Sequence, residues 1–198
     1  MSASLPPPRR IVTSNLPIPV HLSAGKTPEP AVEVLVEDLA QIEELGGIIC
    51  RGTVFTHENI PTSNDGRDVM PREITNGGLV LPNGANIRFN DVAPGQVVPM
   101  HRTQSTDYDI ILNGSIHLLT PSVASDGTLT SIQETVCNAG DVVFQRGTMH
   151  AWENRSSEWV RWVAILLGAE RNQVEVEGKI EEKVILKDFF GKYIGDEA

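Results

Sequence analysis

The sequence predicts an all-β protein of antiparallel strands, and three observations carry that expectation. Between Ala85 and Leu167, short runs of alternating apolar and polar residues recur at close intervals, the pattern of half-buried strands. Seventeen glycines and thirteen prolines punctuate these runs. No fixed repeat period appears, which favours a sandwich or small barrel over a solenoid or an α/β fold. A chain of 198 residues is long enough for one domain with extensions and for a core that needs no covalent staples.

Taken in order, residues 1–30 are proline-rich and hold one short strand candidate, Arg10 to Thr13, so they read as an arm. The barrel domain is expected over residues 31–168. It opens on Val32, Val34 and Val36, which alternate with Glu33, Leu35 and Glu37; the stretch Glu37 to Leu45 is equally compatible with one or two helical turns, because Leu39, Ile42 and Leu45 recur at helical spacing. Ile48 to Thr56 reads as a strand. The polar segment His57 to Asn76, with Pro61, Asp65-Gly66 and Pro71, reads as a long loop of the kind that often covers a site. Further strands are expected over Asn86 to Val92, Val97 to His101, Asp107 to Leu112, Ser115 to Leu119, Leu129 to Val136, Asp141 to Gln145, His150 to Asn154 and Trp159 to Leu167. Residues 169–198 read as a tail, helical through Ile185, Phe189 and Tyr193 or an edge strand through Val174 and Val176.

Composition narrows the function classes. Sixteen Lys and Arg against 26 Asp and Glu give a formal charge of -10, with no basic run beyond Arg9-Arg10, so nucleic acid and anionic membranes are poor partners. No signal-like start and no long apolar window is present, which points to a cytoplasmic protein. Cys50 and Cys137 then read as two reduced thiols rather than a disulfide.

The window from Pro94 to Asn154 carries the chemistry. Pro94-Gly95, Pro99-Met100-His101-Arg102-Thr103, Asp107-Tyr108 and Leu112-Asn113-Gly114 match the spacing G-x5-H-x-H-x3-E-x6-G. Gly140-Asp141, Gln145-Arg146-Gly147-Thr148-Met149-His150 and Asn154 follow G-x5-P-x-G-x2-H-x3-N, with Gln145 in the Pro place and a leading spacer one residue short. On these motifs the chain resembles the cupin superfamily, and in its His-Arg-Thr, Asp-Tyr and Gln-Arg-Gly-Thr segments it resembles the small cupins of fungal polyketide clusters named oxidoreductases. The resemblance implies a single cupin jelly-roll (double-stranded β-helix) barrel with an N-terminal arm and a C-terminal tail, commonly a homodimer, acting on a small molecule.

Metal cupins hold one divalent ion with two His and a Glu from the first motif and a His from the second. Carried over, this gives His101, Thr103 in place of the second His, Asp107 in place of Glu, and His150. The set His101, Asp107 and His150 is chemically sensible for Fe, Mn, Zn or Ni. The metal-free reading uses the same three as catalytic groups, because an imidazole paired with a carboxylate in a desolvated pocket exchanges protons near neutral pH. Strand parity puts Asp109 beside Asp107, and Trp152 and Asn154 beside His150, so Thr103, Asp109, Trp152 and Asn154 are the expected substrate contacts. Tyr108 falls on the outer face. His21, His57 and His117 read as structural.

Three functions are compatible with these residues: a secondary-metabolism enzyme dehydrating, isomerising or aromatising a polyketide-type molecule; a metal-dependent dioxygenase or decarboxylase; and a non-catalytic binding cupin. A nicotinamide cofactor is not expected, since no Gly-rich dinucleotide fingerprint occurs.

Overall fold

The computed structural model describes residues 4–23, 29–65, 67, 74, 79–123, 131–179 and 182–191. Its first elements are β1 (Arg9–Asn15) and β2 (Val32–Asp38), which pair antiparallel as a separate two-stranded ribbon. One 3-10 turn, Val20–Leu22, lies in the connection. Arg10 fastens the ribbon to the body: buried despite its charge, it pairs with Glu37 and donates to the Val54 carbonyl at 2.7 Å. In the ambiguous stretch before Gly46, β3 (Ile42–Glu44) is a strand rather than a helical turn. The Leu45-Gly46-Gly47 corner, all three at positive φ, folds β3 back onto β4 (Ile49–His57), whose backbone takes the hydrogen bonds a helix would have made internally.

The body follows as β5 (Ala85–Val92), β6 (Val97–Arg102), β7 (Ser105–Asn113), β8 (Ser115–Ser122), β9 (Ser131–Asn138), β10 (Val142–Arg146), β11 (His150–Glu153) and β12 (Val160–Gly168). Six strands form one sheet in the order β10-β7-β12-β5-β4-β3. The second sheet runs β15-β6-β11-β8-β9, where β15 is Phe189–Phe190. The chain changes sheets at nearly every connection from β5 to β12, as a jelly roll requires. Among the described residues no ladder joins the two sheets at their edges, so the expected barrel closes by side-chain packing and not by hydrogen bonds.

Apolar residues from both sheets interlock between them. Ile49, Val92, Ile111, Val160 and Trp162 come from one side, Val98, Ile116, Cys137 and Trp152 from the other, and each fully buried aliphatic is worth roughly 1.5–3 kcal/mol. Cys50 and Cys137 are free thiols. Tyr108 lies on the outer face, stacked on Phe144 with ring centroids 4.9 Å apart.

Residues beyond 168 supply more strand. β13 (Gln173–Glu175) pairs with β14 (Lys183–Ile185), and β15 joins β6 with Phe190 opposite His101. The helical alternative for this stretch is therefore not taken at Ile185 or Phe189, and Tyr193 lies outside the described residues. So does much of the expected cover between His57 and Asn76, as do Leu129 and Thr130 of the expected strand that is β9. No helix of the described structure is long and apolar enough to cross a membrane.

Candidate functional site

A polar layer lies between the sheets beside the apolar core. On β5 the residues Asn86, Arg88 and Asn90 all turn inward, and the strand becomes apolar only at Val92. The register then sets rows across the six-stranded sheet. Arg88 stands opposite Ala164 of β12, and Ala164 stands opposite Asp109 of β7. Arg88 and Asp109 thus stand in one row two strands apart, with only the Ala164 methyl on the strand between them, and their charges interact.

The facing sheet contributes His101 and His150. Between Val98 and His101, β6 spends one more residue than β11 does between Trp152 and His150, a bulge that reverses the pleat and brings His101 opposite His150. Their rings lie 4.2 Å apart, and Trp152 meets His150 edge-on at 6.1 Å. His101 Nδ1 donates to the Pro99 carbonyl at 2.8 Å and His150 Nδ1 to the Thr148 carbonyl at 2.9 Å. A carbonyl only accepts, so each neutral ring carries its proton on Nδ1 and keeps Nε2 as the basic nitrogen.

These groups line an inner chamber of about 30 Å³ that includes His101, Thr103, Asp107, Asp109, His150 and Trp152. An outer cleft of about 430 Å³ shares Arg51, Leu79, Val98, His101 and Thr103 with it, and takes Phe189 and Phe190 as a wall. The loop at Leu79 to Pro82 comes this close to β12 because position 168 is glycine, where a Cβ would collide with the Leu81 and Pro82 carbonyls.

Burial dominates the electrostatics. It pushes His150 down to about 3, with the neighbouring His101 adding to the effect, and it also lowers His101. Burial raises Asp107, and it raises Asp109 to about 7 with the help of the Asp107 charge. For His150 the expectation of an imidazole near neutrality is thereby corrected, and the Asp109 carboxyl takes that place, because burial withholds the water that would stabilise either charged form. Asp109 accepts from Gln145 Nε2 at 3.0 Å and from the Trp162 side chain.

The opposed shifts predict a test. Asp109 sits above its ordinary value of 3.8 in the fold, so its contribution to stability falls as pH rises from about 4 to about 7. His150 sits below its ordinary 6.5, so its contribution grows as pH rises from about 3 to about 6.5. Asp109→Asn removes only the falling arm. Its Tm, followed by scanning fluorimetry, is expected to climb relative to that of wild type between pH 4 and pH 7; parallel curves would refute the assignment.

Of the expected substrate contacts, Thr103, Asp109 and Trp152 line the chamber, while Asn154 does not. Asn154 is fully buried, with Nδ2 donating to the carbonyls of Val92, Ala93 and Glu158 and Oδ1 accepting from Ser156. All its hydrogen-bonding capacity is spent on backbone and turn, which corrects its placement as a substrate contact. Thr103, where a metal cupin has its second His, shares a 2.8 Å hydrogen bond with Ser105. Among the described residues no three of His, Cys, Asp and Glu form a group that could hold a metal ion. Sequence reasoning missed Arg51, Arg88, Asn90 and Gln145. The available signal was the alternation of Asn86, Arg88 and Asn90, which reads in isolation as a solvent face.

No family model matches the chain. It is 40% identical over 104 residues to phomopsin biosynthesis cluster protein D of Diaporthe leptostromiformis, covering 52% of this chain and 49% of the relative. It is 30% identical over 135 residues to the cupin-domain-containing oxidoreductase fogC of Aspergillus ruber, covering 65% and 61%. The chain thus spans about half the length of the phomopsin relative that it matches. A double-stranded β-helix protein of Klebsiella pneumoniae aligns with a TM-score of 0.43 at 14% identity, covering 65% of this chain and 84% of that one. The sheets found here and these sequence matches lead to one conclusion: the chain is an all-β protein with jelly-roll sheets, similar in sequence to fungal biosynthesis-cluster proteins and to those named cupin-domain-containing oxidoreductases.

Proposed function

We propose that the chain is a secondary-metabolism enzyme that moves protons on an aromatic or pre-aromatic polyketide-type small molecule, by dehydration, isomerisation or aromatisation. The names of its fungal relatives support the setting. The observation that carries the chemistry is the chamber itself: two imidazoles held as Nδ1–H tautomers share it with two buried carboxyls. Their environments favour the neutral form of each, which puts a base and an acid on the walls of one chamber.

In a dehydration, His101 Nε2 takes the proton beside a carbonyl, and the C–H electron pair becomes the new C=C bond. Asp107, whose Oδ1 is buried without a partner, gives its proton to the departing hydroxyl, and water leaves as the C–O bond breaks. Transfer of a proton from the imidazolium to the carboxylate resets both groups. His150 backs the His101 ring, and the Asp107 charge helps to keep the Asp109 carboxyl protonated. His101 suits the role of base because it lines both the chamber and the outer cleft. Exposed apolar residues around the Tyr108–Phe144 stack, Val142 and Leu112 among them, support a homodimer through the outer face of the six-stranded sheet.

The test is deuterium uptake. Purified protein treated with chelator is incubated in D₂O with a panel of β-hydroxy ketones and cyclohexenones, and the products are read by mass spectrometry. Deuterium at the position beside the carbonyl, or loss of water, is expected at undiminished rate after chelation. Absence of both from the whole panel, or activity that chelation abolishes and a divalent metal restores, would overturn the reading.

A further inference from the structure

Arg88 has no use in the chemistry above, and its surroundings do not satisfy it. Only 8% of the residue is exposed, and its Nε is buried without a partner. Among the described residues none forms an ion pair or accepts a hydrogen bond from its guanidinium. The carboxyls that share the chamber with it make their hydrogen bonds elsewhere, Asp109 with Gln145 and Trp162 and Asp107 with Ser105, and Asp107 Oδ1 stays without a partner. Asp107 and Asp109 line the chamber with it and favour its charge without bonding to it, whereas a second cation, Arg51, opposes it; Arg51 is paired with Glu44, and its own Nε is also buried without a partner. An unpaired buried guanidinium costs several kcal/mol, more so beside another of the same sign. The arrangement makes sense when an anion sits between them.

We infer that the inner chamber seats the carboxylate head of an organic acid, held by the guanidinium groups of Arg88 and Arg51, while the body of that acid lies in the outer cleft. This deepens the preceding reading by assigning its substrate a carboxylate. The sizes agree. A chamber of about 30 Å³ exceeds the roughly 10–15 Å³ that one water requires and suits a two-oxygen head group, whereas a ring has space only in the cleft of about 430 Å³. The planar fork of an arginine matches a carboxylate with two parallel hydrogen bonds. His101, which lines both spaces, then faces the atoms next to the carboxylate, where a base acts in the proposed proton transfer.

Calorimetric titration of the full chain with sodium benzoate and with benzamide tests this without any turnover. Benzoate is expected to bind at least ~10-fold more tightly than benzamide, the worth of one hydrogen bond to a charged group. Arg88→Met is expected to lose that preference while melting no lower than wild type, since it removes an unpaired buried charge. Arg88→Lys, which keeps the charge and loses the fork, is expected to fall between them. If Arg88→Met does not fold, Arg51→Gln reads the same loss. Equal affinity for the two probes, no heat with benzoate at millimolar concentration, or wild-type benzoate affinity in the folded Arg88→Met or Arg51→Gln variant would overturn the inference. Binding of benzoate by a protein that fails the deuterium assay would leave the anion seat standing and remove only the catalytic reading. Deuterium uptake without carboxylate preference would do the reverse.

Discussion

His150→Ala is expected to lower turnover at least ~100-fold, measured on whichever ketone of the panel exchanges, while His117→Ala leaves it unchanged. Displacing a catalytic group by about 1 Å costs this much, as does deleting a proton-transfer partner. Burial holds His150 neutral, so its part is to confine the His101 ring, 4.2 Å away, and to keep water from the chamber. An alanine there leaves a gap into which that ring can turn. His117 is the control because it projects from β8 outside the chamber, with its Nδ1 3.9 Å from Glu134. Circular dichroism of both variants establishes that the fold persists. A comparable loss from His117→Ala, or a His150→Ala protein as active as wild type, would show that the site lies elsewhere and favour a binding protein over an enzyme.

Asn154→Ala is expected to cost about 3 kcal/mol of stability without changing KM. Its Nδ2 meets the carbonyls of Val92, Ala93 and Glu158 at 3.0, 3.1 and 2.7 Å. Alanine leaves the carbonyls of Val92 and Ala93 without the buried amide that joins them to the turn at Glu158, and each orphaned buried group costs about 1–3 kcal/mol. For a chain of this size the Tm should fall by roughly 6–12 °C. A Tm within about 2 °C of wild type together with a raised KM would return Asn154 to the substrate.

Asn154 also illustrates how far a motif reaches. Its spacing from His150 is plain in the sequence, yet the same spacing fits a substrate contact and a structural clamp. The strands between Ala85 and Leu167 were legible because period-two alternation is a local property of the backbone, and most expected strands overlap observed ones closely. The meeting of His101 with His150 was foreseen from the two motifs, but pleat parity alone does not produce it. Counted from the inward Val98, His101 belongs to the opposite face, and the extra residue in β6 reverses that count.

What local pattern could not supply was which face of a strand is the inside. On β5, Ile87 and Phe89 alternate with Asn86, Arg88 and Asn90, and a solitary amphipathic strand buries its apolar side. Here the polar side faces inward, because the strand lies between β4 and β12 with its register set by Arg88 opposite Ala164. The choice of face depends on what the opposite sheet offers, and that sheet brings imidazoles and a chamber as well as hydrocarbon. Similarly, β15 is too short to stand alone and exists through its pairing with β6. Periodicity and motif spacing are encoded in neighbouring residues, so they identified the strands and the candidate histidines. The inward face of β5, the unpaired Arg88 and its row with Ala164 and Asp109 arise between residues far apart in the chain, and packing alone decides them.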